Sequence, residues 1–171
     1  MTMLEHALKY ASYGWNVFPV HSIINGKCTC TNPNCEKQGK HPVQTGGFKI
    51  ATKDPEIIRG WWNEPPFANI GIATGSISDL LVVDIDISLK KDGFSSLKIL
   101  EHEFGKLPHS LRVRTGSGGV HIYLQMPEHS VKCSVERLGK GLDVRADGGY
   151  VIAPPSVHIS GKTYNWETPN E

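Results

Sequence analysis

A chain of 171 residues fits one domain and is long enough to bury most of its core. With 39% hydrophobic and 20% charged residues, five Phe, five Tyr and four Trp, its composition is that of a globular protein and excludes a disordered one. A formal net charge of +1 excludes a polycation that coats nucleic acid by bulk charge, so any nucleic-acid site has to be local.

Leu4, Ala7, Leu8 and Ala11 recur at helical spacing and predict an amphipathic helix over residues 3–13, ended by Gly14. Asn16 to Val20 reads as the first strand. Residues 25–47 carry Gly, Cys, Asn, Lys and Pro without periodicity, which predicts a long loop in need of its own staple. Asp54-Pro55 supplies an N-cap and a first-turn proline for a short helix bearing Ile57, Ile58, Trp61 and Trp62, stopped by Pro65-Pro66. Asn69–Thr74 and Leu80–Ile87 are expected to be two strands meeting in a hairpin through Gly75-Ser76, the second nearly continuous in apolar residues and therefore central. Residues 92–104 predict a helix with Leu97, Ile99, Leu100 and Phe104 on its buried side, closed by Gly105. Strands follow at Leu111–Thr115, Val120–Gln125, Leu142–Ala146 and Tyr150–Ala153, then a last hairpin of Val157–Ile159 and Thr163–Trp166. The expected class is α+β, a mixed, largely antiparallel sheet flanked by helices that lie on one side of it. No apolar run approaches the roughly 20 residues of a membrane span and no signal-like segment opens the chain, so no membrane partner is expected and the compartment expected is the cytoplasm.

The most informative segment is Leu80-Leu81-Val82-Val83-Asp84-Ile85-Asp86. Strand side chains alternate with a period of two, so Asp84 and Asp86 emerge on one face at the end of a buried strand. Neighbouring carboxylates raise each other's pKa and destabilise the fold unless a cation lies between them, and oxygen ligands favour Mg²⁺ or Mn²⁺. The plainer alternative is a solvated strand end. Asp143, in Gly141-Leu142-Asp143-Val144-Arg145, adds a carboxylate from a second strand, and the set could hold two divalent ions about 3.5–4 Å apart, as in phosphoryl transfer. Its alternative is a surface pair between Asp143 and Arg145. Thr115-Gly116-Ser117-Gly118-Gly119-Val120-His121 is a glycine-rich turn running into a histidine-bearing strand. The backbone N–H groups of Gly118 and Gly119 can converge on an anion, with Ser117 and His121 as side-chain donors. The segment is neither a Walker A sequence nor a Rossmann fingerprint, and an ordinary hairpin turn with a structural histidine stays open beside it.

Cys28, Cys30, Cys35 and His41 fall within fourteen positions and can close a tetrahedral Zn²⁺ shell with no open position, which predicts a structural zinc in the loop at about 25–47. His21 is the substitute ligand, the alternative is a loop of free thiols, and Cys133 reads as a plain thiol. Lys40, Lys49, Arg112 and Arg114 are candidates for phosphate contact, because a nearly neutral protein must concentrate its cations where it binds. Trp61 and Trp62, on a short proline-bounded helix, are expected in the core rather than stacked on bases.

Taken in order, Val83-Asp84-Ile85-Asp86, Ser117-Gly118-Gly119-Val120-His121 and Leu142-Asp143 resemble the motifs of the archaeo-eukaryotic primase superfamily, specifically its bifunctional primase–polymerase (prim-pol) domain. Trp15-Asn16-Val17-Phe18-Pro19-Val20, Gly39-Lys40-His41-Pro42, Asn69-Ile70-Gly71-Ile72-Ala73-Thr74-Gly75 and Gly148-Gly149-Tyr150-Val151-Ile152-Ala153-Pro154-Pro155-Ser156 are similar to that family's recurring segments, so the resemblance spans nearly the whole chain. It implies a catalytic core related to the RNA-recognition fold, in a single domain over residues 1–171, acting in plasmid or phage replication. The implied activity is template-directed addition of nucleoside triphosphates on single-stranded DNA, with primer synthesis open to it. By the same resemblance, Asp84, Asp86 and Asp143 bind two Mg²⁺ or Mn²⁺ ions, His121 contacts the nucleotide phosphates, and Ser117 and Arg145 contact the nucleotide. The superfamily often has serine two residues before the histidine, where this chain has Gly119, leaving that contact to Ser117 or a backbone N–H. A helicase or accessory region in a longer chain is the implied partner. A non-catalytic single-strand-binding replication-initiation module and a metal-dependent nuclease remain as alternatives.

Overall fold

The computed structural model describes residues 1–167. Its elements, in chain order, are α1 (Met3–Ser12), β1 (Val17–Val20), β2 (Ile23–Ile24), β3 (Lys27–Cys28), a 3-10 turn (Gly47–Ile50), α2 (Pro55–Asn63), β4 (Asn69–Ala73), β5 (Leu80–Ile85), β6 (Ile87–Ser88), β7 (Lys91–Asp92), α3 (Gly93–Phe104), β8 (Arg112–Arg114), β9 (Val120–Gln125), β10 (Leu142–Arg145), β11 (Tyr150–Ala153) and β12 (Asn165–Trp166). The class is α+β, as expected. The strands form a three-stranded sheet, β1-β4-β11, a five-stranded sheet, β10-β5-β9-β8-β12, and the two-stranded ribbons β2-β3 and β6-β7. Every ladder between these strands is antiparallel, and a lone parallel bridge joins Lys132 to Asp147.

Local chemistry sets the helix ends. Thr2 and Glu5 form a reciprocal capping box at α1, and Asp54 caps α2 by accepting from the N–H groups of Glu56 and Ile57, with Pro55 in the first turn. Trp62 is buried in α2 and donates its indole N–H to the Ala68 carbonyl at 3.0 Å, while Trp61 packs partly buried beside the same core.

Four expectations change. First, β4 and β5 do not pair as a hairpin. All five residues of β4 are buried, and both its edges are filled by β1 and β11. The chain therefore leaves for the second sheet after the Gly75–Leu80 bridge. Second, helices cover two sides rather than one. Val82 of β5 lies in a core cluster with α1, α2 and the three-stranded sheet, whereas Val83 and Ile85 pack with Leu97 of α3. A strand apolar on both faces needs cover on both. Third, α3 buries Leu97 and half-buries Leu100, but Ile99 and Phe104 are 68% and 75% exposed. Ile99 falls about 200° around the helix from Leu97 at 3.6 residues per turn, and Phe104 is the last helical residue. The final hairpin is also shorter than expected. Val157 bridges Thr163, and the chain then runs on as β12 to pair with β8.

Candidate active site

The site is built on a cross-strand row. Asp143 of β10 stands opposite Asp84 of β5, Asp84 opposite His121 of β9, and His121 opposite Val113 of β8. Directly paired residues share a face of the sheet, so these four side chains lie side by side. Val113 belongs to the core shared with α1 and α2. At its acidic end the row opens into a cavity of about 440 Å³ lined by Asp84, Asp86, His121, Arg145, Lys37 and Lys40. That is within the usual size range of ligand pockets, about 300–1,000 Å³. Residues 148–152, at the edge strand β11, and Tyr164 also line it.

Asp84 and Asp86 reach the cavity as alternation requires, Asp86 lying one residue beyond β5. Burial raises the pKa of Asp84, and the Asp143 charge raises it further against the opposing pull of Arg145. Asp86 is raised by burial and then by the charges of Asp84 and Asp143. Asp143 is buried behind the cavity. One of its carboxylate oxygens accepts from Arg145 at 2.7 Å and the other accepts from the backbone N–H of Glu136 at 3.1 Å. The same guanidinium lies 3.6 Å from Asp84 Oδ2, so Arg145 ties the two carboxylates together.

His121 Nε2 is 3.5 Å from Asp84 Oδ1. Burial, reinforced by the Lys40 and Arg145 charges, pushes the imidazole down to about 3, so the ring is neutral and the contact is no ion pair. Its Nδ1 is buried with no hydrogen-bond partner among the described residues. Such an atom costs about 1–3 kcal/mol and calls for a reason.

These carboxylates suit a hard divalent cation, because the repulsion and burial that raise Asp84 and Asp86 are what a cation would relieve. They stand wider apart than a closed ligand set. Among the described residues, the set of three or more donors gathered within 4.8 Å is Cys28, Cys30, Cys35 and His41. In that set His41 Nε2 is 3.6 Å from Cys28 Sγ and 3.4 Å from Cys35 Sγ. Burial and the neighbouring thiols push the Cys35 thiol up to about 11, a crowding that a cation relieves. Three sulfurs and one imidazole are the donor set of a structural zinc site, and the cluster fits that metal. His21 is turned elsewhere, with Nδ1 3.0 Å from Thr29 Oγ1, and Cys133 lies outside the cluster in the cavity wall.

The structure does not bring the glycine turn into the cavity wall. Ser117 is exposed, with its hydroxyl 2.9 Å from that of Thr115, and Ser117, Gly118 and Gly119 do not line the space. Gly119 is instead held against β5, where an added Cβ would lie 2.2 Å from the Ile85 carbonyl oxygen. Arg112 and Lys49 stand away from the cavity, and Arg114 pairs with Glu167. Sequence reasoning missed Lys37 and Tyr164. The only signal for Lys37 was its place between Cys35 and His41, and Tyr164 carried none.

A family model described as bifunctional DNA primase/polymerase, N-terminal (Prim-Pol), matches residues 7–171. No curated protein matches the chain.

Proposed function

The chain belongs to the bifunctional DNA primase/polymerase family, and on that premise we propose that it transfers nucleotides from nucleoside triphosphates to a 3′-hydroxyl on single-stranded DNA, in plasmid or phage replication. The observation that carries this reading is the mixed charge of one cavity, which Asp84 and Asp86 line together with Lys37, Lys40 and Arg145. A metal-bound triphosphate has the complementary pattern, cation against carboxylate and phosphate against ammonium or guanidinium. Asp84 and Asp86 in the cavity wall, with Asp143 behind them, would hold the divalent ions, which would supply charge neutralisation at the reacting phosphate. The protein's own part is positioning. Lys40 and Arg145 take phosphate oxygens, and neutral His121 stands in the cavity wall with Nε2 beside Asp84. The cavity walls hold the α-phosphate for attack by the hydroxyl, with pyrophosphate leaving. On the family's pattern a helicase region is the partner in replication.

The test is incorporation of labelled ribo- and deoxynucleotides with Mn²⁺ and single-stranded DNA, with and without primer. Asp84→Ala and Asp86→Ala are each expected to cut incorporation by about 100-fold or more. Their melting temperatures should not fall, because each change removes a carboxylate whose charged form burial disfavours. Full incorporation by either variant refutes the assignment.

One observation favours a second reading, a single-strand-binding module without turnover. Arg145 already holds Asp143 and approaches Asp84, so part of the acidic charge is neutralised within the protein. Template binding without any metal-dependent incorporation would decide for that module.

A further inference from the structure

We propose that the cysteine cluster acts on the cavity: zinc held by Cys28, Cys30, Cys35 and His41 sets the place of Lys37, which with Lys40 receives the nucleotide's triphosphate, so that metal and nucleotide bind cooperatively. The inference rests on the nucleotidyl-transfer reading and adds a positioning role for a metal whose shell has no open position.

The connection is short. Lys37 lies two residues after Cys35 and Lys40 immediately before His41, and both line the cavity that holds Asp84, Asp86 and Arg145. The two ends of this segment are anchored very differently. Around Lys40 the backbone is tied to the core. The Gly39 carbonyl accepts from the buried Asn69 amide at 3.0 Å, the Lys40 carbonyl from the Tyr150 hydroxyl at 2.9 Å, and the His41 carbonyl from the His21 N–H at 2.9 Å. Over residues 31–37 the hydrogen bonds stay within the loop, such as Cys35 N–H to the Asn32 carbonyl at 3.2 Å. No helix or strand covers that stretch. It is tied to the anchored end by one backbone bond, from the Lys40 N–H to the Lys37 carbonyl at 3.0 Å, and by the cluster, where Cys35 Sγ meets His41 Nε2 at 3.4 Å and the Gly39 N–H donates to Cys28 Sγ at 3.4 Å.

A metal shared by Cys35 and His41 therefore adds a second hold to the single backbone bond that keeps Lys37 at the cavity, whereas Lys40 keeps its place either way. Ordering a lysine before the ligand arrives removes an entropic cost from binding, and the coupling runs equally in both directions.

The experiment compares dATP and dAMP binding by titration calorimetry for zinc-loaded and chelator-stripped protein. Zinc affinity is measured in parallel, by competition with a chromophoric chelator with and without dATP. Zinc removal should weaken dATP about fivefold or more and leave dAMP nearly unchanged, and dATP should tighten zinc by the same factor. Lys37→Ala in the zinc-loaded protein should reproduce the loss and abolish the coupling, and Lys40→Ala should weaken dATP while leaving the coupling intact. If stripping unfolds the chain, as seen by circular dichroism, the two lysine variants carry the test with zinc bound. Equal dATP binding with and without zinc, or by Lys37→Ala, overturns the proposal. A loss confined to a single-stranded oligonucleotide also overturns it, because the phosphates received are then the template's. If the zinc-loaded protein binds no dATP at all, the nucleotidyl-transfer reading fails with it.

Discussion

Gly119 stands where the superfamily pattern often has serine, and the backbone explains the difference. The Thr115 N–H donates to the Gly119 carbonyl at 2.9 Å, which brings the turn so close to β5 that no Cβ fits against Ile85. Asp84 and Asp86 were legible one residue at a time, because strand alternation alone puts them on one face. Arg145 was legible only as a neighbour of Asp143. Its bridge to Asp84 depends on β10 and β5 pairing in the register that sets Asp143 against Asp84. Asp147 is a comparable case outside the cavity. Its carboxylate accepts from the Ser76 N–H at 2.8 Å, the Ser76 hydroxyl at 3.0 Å and the Ser130 hydroxyl at 2.8 Å. These bonds, the Ser76 N–H foremost, hold its pKa below the usual carboxylate range. A carboxyl depressed in the folded state contributes stability that is present above its unfolded value, about 3.9, and is lost as pH falls through the folded value. Asp147→Asn should therefore lower the urea midpoint at pH 7, and the gap from the parent should close as the pH falls below 4. A gap that persists unchanged at pH 2 would show that the carboxylate charge is not the source.

At the scale of elements, α2 separates what periodicity tells from what it does not. The sequence marks Ile57, Ile58, Trp61 and Trp62 as one apolar group, yet Ile58 and Trp62 are buried and Ile57 is 46% exposed. Trp62→Ala should cost about 3–5 kcal/mol, since it opens a large cavity and orphans the Ala68 carbonyl. Ile57→Ala should stay within about 0.5 kcal/mol. Urea denaturation of both variants checks the pair, and comparable losses would mean that α2 presents a different face. Helix ends were legible because a cap acts over three or four residues, as with Thr2 and Asp54. The β4–β5 hairpin was misread because a turn signal such as Gly75-Ser76 reports that the chain bends, not which strand it then joins. That choice belongs to β1 and β11, which are distant in sequence and fill both edges of β4.

Across the whole molecule, β5 is the spine. It pairs with β9 and β10 on its two edges, and its two faces contribute to separate core clusters. The β6-β7 ribbon next to it has no third strand among the described residues, and Ile87 and Ser88 are exposed. In native-state hydrogen exchange, β5 and β9 should exchange slowest, at the free energy of global unfolding, and β6-β7 among the fastest. Slow exchange in β6-β7 would point to cover from a partner. The amino-acid sequence by itself determined the helices and most strands, the strand that carries the paired aspartates, the thiol and imidazole set of the loop, and the family, because each is written in spacing over a few residues or in ordered motifs. Only the tertiary structure decided that two sheets rather than one enclose the cavity, that helices cover both faces of β5, that the glycine turn stands outside, and that the cysteine loop sends Lys37 to the same cavity as the aspartates. The physical reason is that these depend on which strand edges remain free and on which loop carbonyls a buried amide such as Asn69 can reach, and both are settled by contacts between residues far apart in the chain.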